Sequence, residues 1–508
     1  MSKQNVLRSA AFLTLSGIIA KTVDFLFRAY YSKQLGSEGM GILSLVFSFH
    51  GLILTFATGG FGVAVSKTLS SLYAKKDYAS INKTMNCAIF SVILLSFGAI
   101  SSVLLFSENI ATSFLKESRA AKSIVCLSPS ILFMSISYCI KGYFYASRKV
   151  LIPASSEFLE QAVKITSTTF LLKHLLPLGV PHGCEAVFLG ISLGEFSSCL
   201  YLSLFYAKFR HKPESVTSQT AVFSPLMKIA LPAMTSSLMG SFLRMNESVF
   251  IVSALKKSGL SHTAALKSYG SLYGMVMPLI IFPLTLLSSC LTLLVPEISR
   301  ADGMKSRLRL KTLISRIMRF AALSGFLVCT LFIIFSKELS SLVYSAPELS
   351  SSIKTIAALS PVMFIDSVCC GILGGLGKQT KLLVFSLTDN IFRLTSIFIL
   401  VPHFGEKALF FTVIFSNLLT VSLTLSAVIK STKTHFELSG WFLKHLAAAF
   451  FTLCISAIFL PFFLTQTPLE IVFAMIFTTL LYILICSLFS KNLRSDITWL
   501  FGRMFSEN

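Results

Sequence analysis

Ionisable side chains stand inside the long apolar stretches of this chain, where they could hold an anion or a cation. One stretch carries Lys21, Asp24 and Arg28; others carry Glu157, Glu160 and Lys164, then Arg244 and Glu247, then Asp389 and Arg393. On a helix Lys21 and Arg28 share a face. Lys21–Asp24 and Arg244–Glu247 are spaced i, i+3, and Glu160–Lys164 and Asp389–Arg393 i, i+4, so each couple could pair locally. A charge near the bilayer centre costs about 2.5–3.5 kcal/mol on insertion scales, so each must have a partner or a task. The plainer alternative is that these are local ion pairs locking helices together. Against it, the charges recur in corresponding stretches of the two halves, and Arg28 has no evident local partner. Cationic groups in a wet chamber suit a phosphate or diphosphate, with arginine offering two parallel contacts. The expected anion-binding set is therefore Lys21, Arg28, Arg244 and Arg393. Asp24, Glu157, Glu160, Lys164, Glu247 and Asp389 are expected to form ion pairs or to hold a coupling cation.

The elements that carry these residues must be membrane helices. Of 508 residues, 54% are hydrophobic and 13% charged, against roughly a quarter charged in soluble domains. The apolar residues come in blocks of about 20 or more, long enough to cross a hydrocarbon core. The expected fold is an all-α polytopic membrane protein of about fourteen transmembrane helices. The basic, then apolar, N-terminal segment continues through Lys21 and Asp24 without an A-x-A-like cleavage site, so it is expected to be a retained first helix. Lys67–Lys83 and Ser299–Lys311 are expected to be amphipathic surface helices, the second, strongly basic one lying against anionic lipid headgroups.

The net charge of +22 lies mostly in short segments between apolar blocks. It therefore sets topology, with both termini cytoplasmic in a bacterial inner membrane. No basic patch is interleaved with aromatic residues, and no nucleic-acid partner is expected. An internal repeat is present: Leu127-Ser128-Pro129 recurs as Leu359-Ser360-Pro361, and at the same separation Gly142 meets Gly374, Lys149 meets Lys381 and Glu157 meets Asp389. Nearer the start, Lys21 meets Arg244 and Asp24 meets Glu247. The expected organisation is a six-helix lobe over 1–215, a second over 216–435 in the same orientation, and a C-terminal helix pair with a tail over 436–508. Parallel repeats of this kind place substrate sites near the midplane.

Other chemistries are excluded by their missing motifs. There is no GxxxxGK[ST], HExxH or GxSxG, so neither an ATPase nor a hydrolase is encoded, and no enzyme is expected. The eleven cysteines are scattered without a CxxC pair, so neither a disulfide framework nor a metal site is expected. No cofactor is expected beyond a coupling cation. His50, beside Gly51, is either packed, cavity-lining or a proton site.

The segment AKTVDFLFRAYYSKQLGSEGMGILSLVFSFHGLILTFATGGFGVAVSK resembles the start of the stage V sporulation protein B family, polysaccharide-type flippases in the MATE-like exporter superfamily. LSPSILFMSISYCIKGYFYASRKVLIPASSEFLEQAVKI and YGSLYGMVMPLIIFPLTLLSSCLTLLVPEISRA are similar to later helices of that family. The resemblance implies two six-helix bundles around a central cavity plus two C-terminal helices. It also implies alternating access that carries a polyprenyl-diphosphate-linked saccharide, a peptidoglycan precursor or polysaccharide unit, from the inner to the outer leaflet. In the related MurJ-type lipid II flippases the first helix carries cavity arginines, and Lys21 and Arg28 occupy comparable positions. The chain departs from that group at Phe56–Phe61 and around Ser271, where those flippases carry further arginines. The expected partners are a lipid-linked anionic saccharide and envelope-synthesis enzymes, with the chain working as a monomer. Two other readings stay open: a cation-coupled multidrug exporter of the same superfamily, and a non-transporting scaffold.

Overall fold

A computed structural model describes residues 3–210, 220–291, 295–304, 306–433, 439–459 and 467–489. The lobe boundaries expected at 215 and 436, and the tail after 489, lie outside them. The regular elements of the described residues are all helices: α1 (Lys3–Thr58), α2 (Phe61–Lys75), α3 (Tyr78–Asn109), α4 (Ala121–Ala146), α5 (Leu151–Leu175), α6 (Val180–Phe209), α7 (Thr220–Lys257), α8 (His262–Tyr269) and α9 (Met277–Leu291). They continue with α10 (Val295–Gly303), α11 (Arg307–Ile334), α12 (Ser336–Tyr344), α13 (Ser350–Ala357), α14 (Ser360–Gly375), α15 (Gln379–Phe404), α16 (Glu406–Thr432), α17 (Lys444–Phe459) and α18 (Pro468–Phe489). Short π-helical and 3-10 turns join several of them.

Ten helices among the described residues are long and apolar enough to cross a membrane, or eleven with the pair formed by α13 and α14, which is bent by 52°. The sequence leads to a larger number for physical reasons. At 1.5 Å per residue the 56 residues of α1 would reach about 84 Å, far beyond a core of about 30 Å. The helix is broken at Gly36, with φ 65 and ψ −175, a conformation open to glycine and strained for other residues. Two expected spans are thus run together in one helical stretch. Helix α5 is long enough but carries Glu157, Glu160, Lys164 and Lys173, and α17 has 16 residues.

The first compact unit comprises residues 15–27 and 37–270. Its core is formed by Phe61, Val65 and Leu69 of α2, Ile81, Met85 and Val92 of α3, Tyr143 and Phe144 of α4, Leu202 of α6 and Leu226 of α7. The surface helix expected over Lys67–Lys83 is divided here. Helix α2 ends at Lys75 and buries Phe61, Ala64, Val65 and Leu69. Asp77 then caps α3, its carboxylate accepting from the Ser80 amide at 3.1 Å. Hydrogen bonds from the Ser80 side chain and backbone hold the Asp77 carboxyl below the usual range.

Tight packing of α5 on α6 depends on Gly190 and Gly194, spaced one turn apart. A Cβ on Gly194 would lie 2.9 Å from the Lys164 Cβ, and one on Gly190 would overlap Thr168. Small residues at this spacing let two membrane helices approach backbone to backbone.

The second unit comprises residues 1–14, 28–36 and 271–508. Helices α11, α14 and α16 pack on one another, and α17 and α18 join α11. Ala322, Leu323 and Phe326 meet Ala448, Ala449, Tyr482 and Ile485 there. The Tyr482 hydroxyl donates to the Leu323 carbonyl at 3.2 Å.

Candidate functional site

In the first unit the intramembrane charges form a network between helices. Lys164 is buried, and its ammonium donates to the Asp24 carboxylate at 2.6 Å, so α5 is joined to α1. Gln161 reaches the same carboxylate at 3.5 Å. Asp24 therefore pairs across helices with Lys164, and the local Glu160–Lys164 spacing gives way to this longer-range contact. Close approach of α6 at Gly194 confines the Lys164 stem, which directs its head group. One residue on, Glu195 is buried in the same seam. Glu157 pairs with Lys141 of α4 at 3.5 Å. Lys21 is exposed on the same stretch of α1 as Asp24.

Farther along this unit, the Arg244 guanidinium donates to the Ser241 hydroxyl at 3.1 Å, and Ser241 meets the Thr55 hydroxyl at 3.1 Å. Arg244 is exposed, and among the described residues no carboxylate forms an ion pair with it. Glu247 is buried. His50 is buried, with Nε2 at 2.9 Å from the Ser130 hydroxyl, which fits its reading as a packed residue.

In the second unit, residues 271–276 of the π-helical segment Gly270–Val276 gather two arginines. Its widened hydrogen-bonding pattern disturbs the regular ladder and leaves carbonyls for side chains. Arg28 Nε and Nη2 donate to the Gly274 carbonyl at 3.3 and 3.2 Å. Arg393 Nη2 donates to the Tyr273 hydroxyl at 3.0 Å. The Tyr344 hydroxyl donates to the next carbonyl, Met275, at 2.8 Å. Arg28 is thus half-buried on a neutral acceptor, and among the described residues no carboxylate neutralises it. The Asp389 carboxylate accepts from Ser416, and Asp366 accepts from Thr424 at 2.8 Å.

Lys141, Glu195 and Asp366 are absent from the residues singled out in the sequence. Each is an ionisable group inside an expected span, and that alone could have marked it. A further cluster lies at helix ends, beside the break in α1 and at the starts of α4 and α8. Arg119 donates through Nε and Nη2 to Glu117 at 2.7 and 2.9 Å and through Nη1 to Glu38 at 2.6 Å, while His262 Nε2 lies 2.9 Å from Glu117. Burial pushes the Glu117 carboxyl up, but the hydrogen bonds and charge of Arg119, aided by His262, outweigh burial and hold it below the usual carboxylate range.

Comparison with known proteins gives the family. Residues 6–302 match the model of the polysaccharide biosynthesis protein family. Stage V sporulation protein B of Bacillus subtilis (strain 168) is 26% identical over 411 residues, 79% of this chain and 78% of that protein. The fold is shared with the inward closed conformation of lipid II flippase MurJ, with TM-score 0.72 and 15% identity over 96% of this chain and 99% of that one. It is also shared with a multidrug resistance MATE family transporter of the MOP superfamily in its inward-facing conformation, with TM-score 0.68 and 14% identity over 83% and 98% of the two chains. The chain belongs to the polysaccharide biosynthesis protein family and is a multi-pass membrane protein.

Proposed function

We propose that this transporter carries a polyprenyl-diphosphate-linked saccharide from the inner to the outer leaflet by alternating access. The observation that carries the reading is Arg28: a guanidinium within a membrane helix, held by the neutral Gly274 carbonyl. A positive charge so placed costs free energy unless an anion completes it, and a diphosphate supplies paired acceptor oxygens. Arg393 donates to the neighbouring residue, Tyr273, in the same unit. Lys21 and Arg244 complete the proposed cationic set. Asp24, Glu157, Glu160, Lys164, Glu247 and Asp389 provide the pairs that rearrange, or the ligands of a coupling cation, when the protein reorients. The reading includes fourteen spans in two six-helix lobes with a C-terminal pair. It places the protein in a bacterial cytoplasmic membrane with both termini inside, working as a monomer that receives its cargo from envelope-synthesis enzymes.

The test is reconstitution in liposomes with a polyprenyl-diphosphate saccharide, scoring how much becomes accessible at the opposite leaflet. Wild-type protein should exchange the lipid, and Arg28→Ala should abolish exchange while keeping its unfolding temperature. Full exchange by Arg28→Ala would remove this residue from the mechanism. The MATE-like fold favours one other reading, a cation-coupled multidrug exporter; drug efflux that is indifferent to added lipid-linked saccharide would support that instead.

A further inference from the structure

A cavity of about 1230 Å³ lies within the first unit between α3 and α7, closed at one side by Gly59 and Phe61. It is larger than the roughly 300–1,000 Å³ of ordinary small-molecule pockets. Its walls are Phe90, Leu94 and Leu95 of α3 and Met227, Leu231 and Met234 of α7. Leu94 and Leu231 are more than half exposed although both belong to membrane-crossing helices. The cavity floor is continuous with the buried core through Cys87, Leu95 and Met227. On α3 the lining runs from Asn86 to Leu95, a rise of about 14 Å, close to half of a core of about 30 Å. The groove is therefore one leaflet deep. Of the polar lining residues, Asn86 and Ser224 sit nearest the helix starts, and Ser91, midway along α3, spends its hydroxyl on the Cys87 carbonyl. Lys83 shares the helical stripe of Asn86 and Phe90, and Lys228 that of Ser224 and Leu231.

We propose that this groove holds one acyl chain of an anionic phospholipid from the surrounding leaflet, with Lys83 and Lys228 drawn to its headgroup. An apolar, leaflet-deep groove left unfilled would forfeit dispersion contacts along its whole wall, and bilayer lipid is the solvent at that depth. The two lysines stand on the same helical stripes as lining residues, toward the helix starts, where an ammonium on a long apolar stem would favour an anionic headgroup. The inference rests on the membrane setting alone, so it stands independently of which cargo the transporter carries.

The experiment uses the full-length protein in nanodiscs containing phosphatidylglycerol with a diazirine on its acyl chain, followed by irradiation and peptide mapping. Label should concentrate on the peptides holding residues 86–95 and 223–234. It should fall at least fivefold there in Lys83→Glu/Lys228→Glu, or when the probe is phosphatidylcholine, while labelling of α18 stays level. Leu231→Trp, which fills the groove without changing charge, should lower the same label and serves if the charge-reversed protein fails to fold. Label spread evenly over all lipid-facing helices would overturn the proposal. So would labelling that both variants leave unchanged. Displacement by a small molar excess of polyprenyl diphosphate, but not by unlabelled phosphatidylglycerol, would also overturn it and assign the groove to the isoprenoid tail.

Discussion

The Lys164–Asp24 pair is asymmetric: the lysine side chain is 10% exposed and the aspartate 55%. Removing the carboxylate strands a buried ammonium, whereas removing the ammonium leaves an aspartate that can find solvent or another donor. Asp24→Asn should therefore destabilise the protein by about 1–3 kcal/mol, below the full penalty of a buried pair because Asp24 is half exposed. Lys164→Met should cost clearly less, and the double variant should recover most of the loss. Thermal unfolding of the purified variants checks this; equal losses in the two single variants would mean that the pair is not limiting. At Arg28 the expectation separates charge from shape. Arg28→Lys keeps the charge but not the fork of donors, and should slow exchange modestly. Arg28→Gln should reduce it roughly 10–100-fold, the scale of a lost hydrogen bond to a charged group.

Helices α5 and α6 stand together because of Gly190 and Gly194, and that contact also sets Lys164 and Glu195 in place. Gly194→Val should overpack the seam and cost about 1–3 kcal/mol, seen as a lower unfolding temperature; an unchanged temperature would show that the seam can open without loss. The Glu117–Arg119–Glu38 cluster, with His262, ties the loop before α4 to α1 and to the start of α8. Because Glu117 has its pKa depressed in the folded state, its stabilisation is fully present above the ordinary glutamate value of about 4.3 and is lost as pH falls through the lower folded value. The difference in unfolding temperature between wild type and Glu117→Gln should be constant near neutral pH and shrink below about pH 4. A difference that grows on acidification would contradict the assignment. These element-scale contacts were only partly legible beforehand. Spans and their charges follow from hydropathy, but Asp24 and Lys164 lie far apart in sequence, and helical spacing points first to nearer partners. Glu195 gives little signal in the sequence, because a single acid beside a glycine offers no local couple. Its significance comes from α5 lying against it.

For the whole molecule, the membrane class and family follow from residues that the sequence displays openly: apolar blocks, basic connections, and the stretch LGSEGMG whose first glycine, Gly36, breaks α1. The number of crossings was harder to read, since α1 joins two expected spans and α5 dilutes its apolar face with four charges. The chemistry proposed for the transporter depends on an anionic cargo being drawn to Arg28 and Arg244, with which no carboxylate of the described residues forms an ion pair. One measurement tests that dependence most directly: leaflet exchange, in liposomes, of a single saccharide carried on a prenyl diphosphate, a prenyl monophosphate and an uncharged prenyl ether. The account predicts that exchange by the wild type falls steeply along that series, and that Arg28→Gln/Arg244→Gln flattens it at the lowest rate. Equal exchange of the uncharged lipid by the wild type would contradict it.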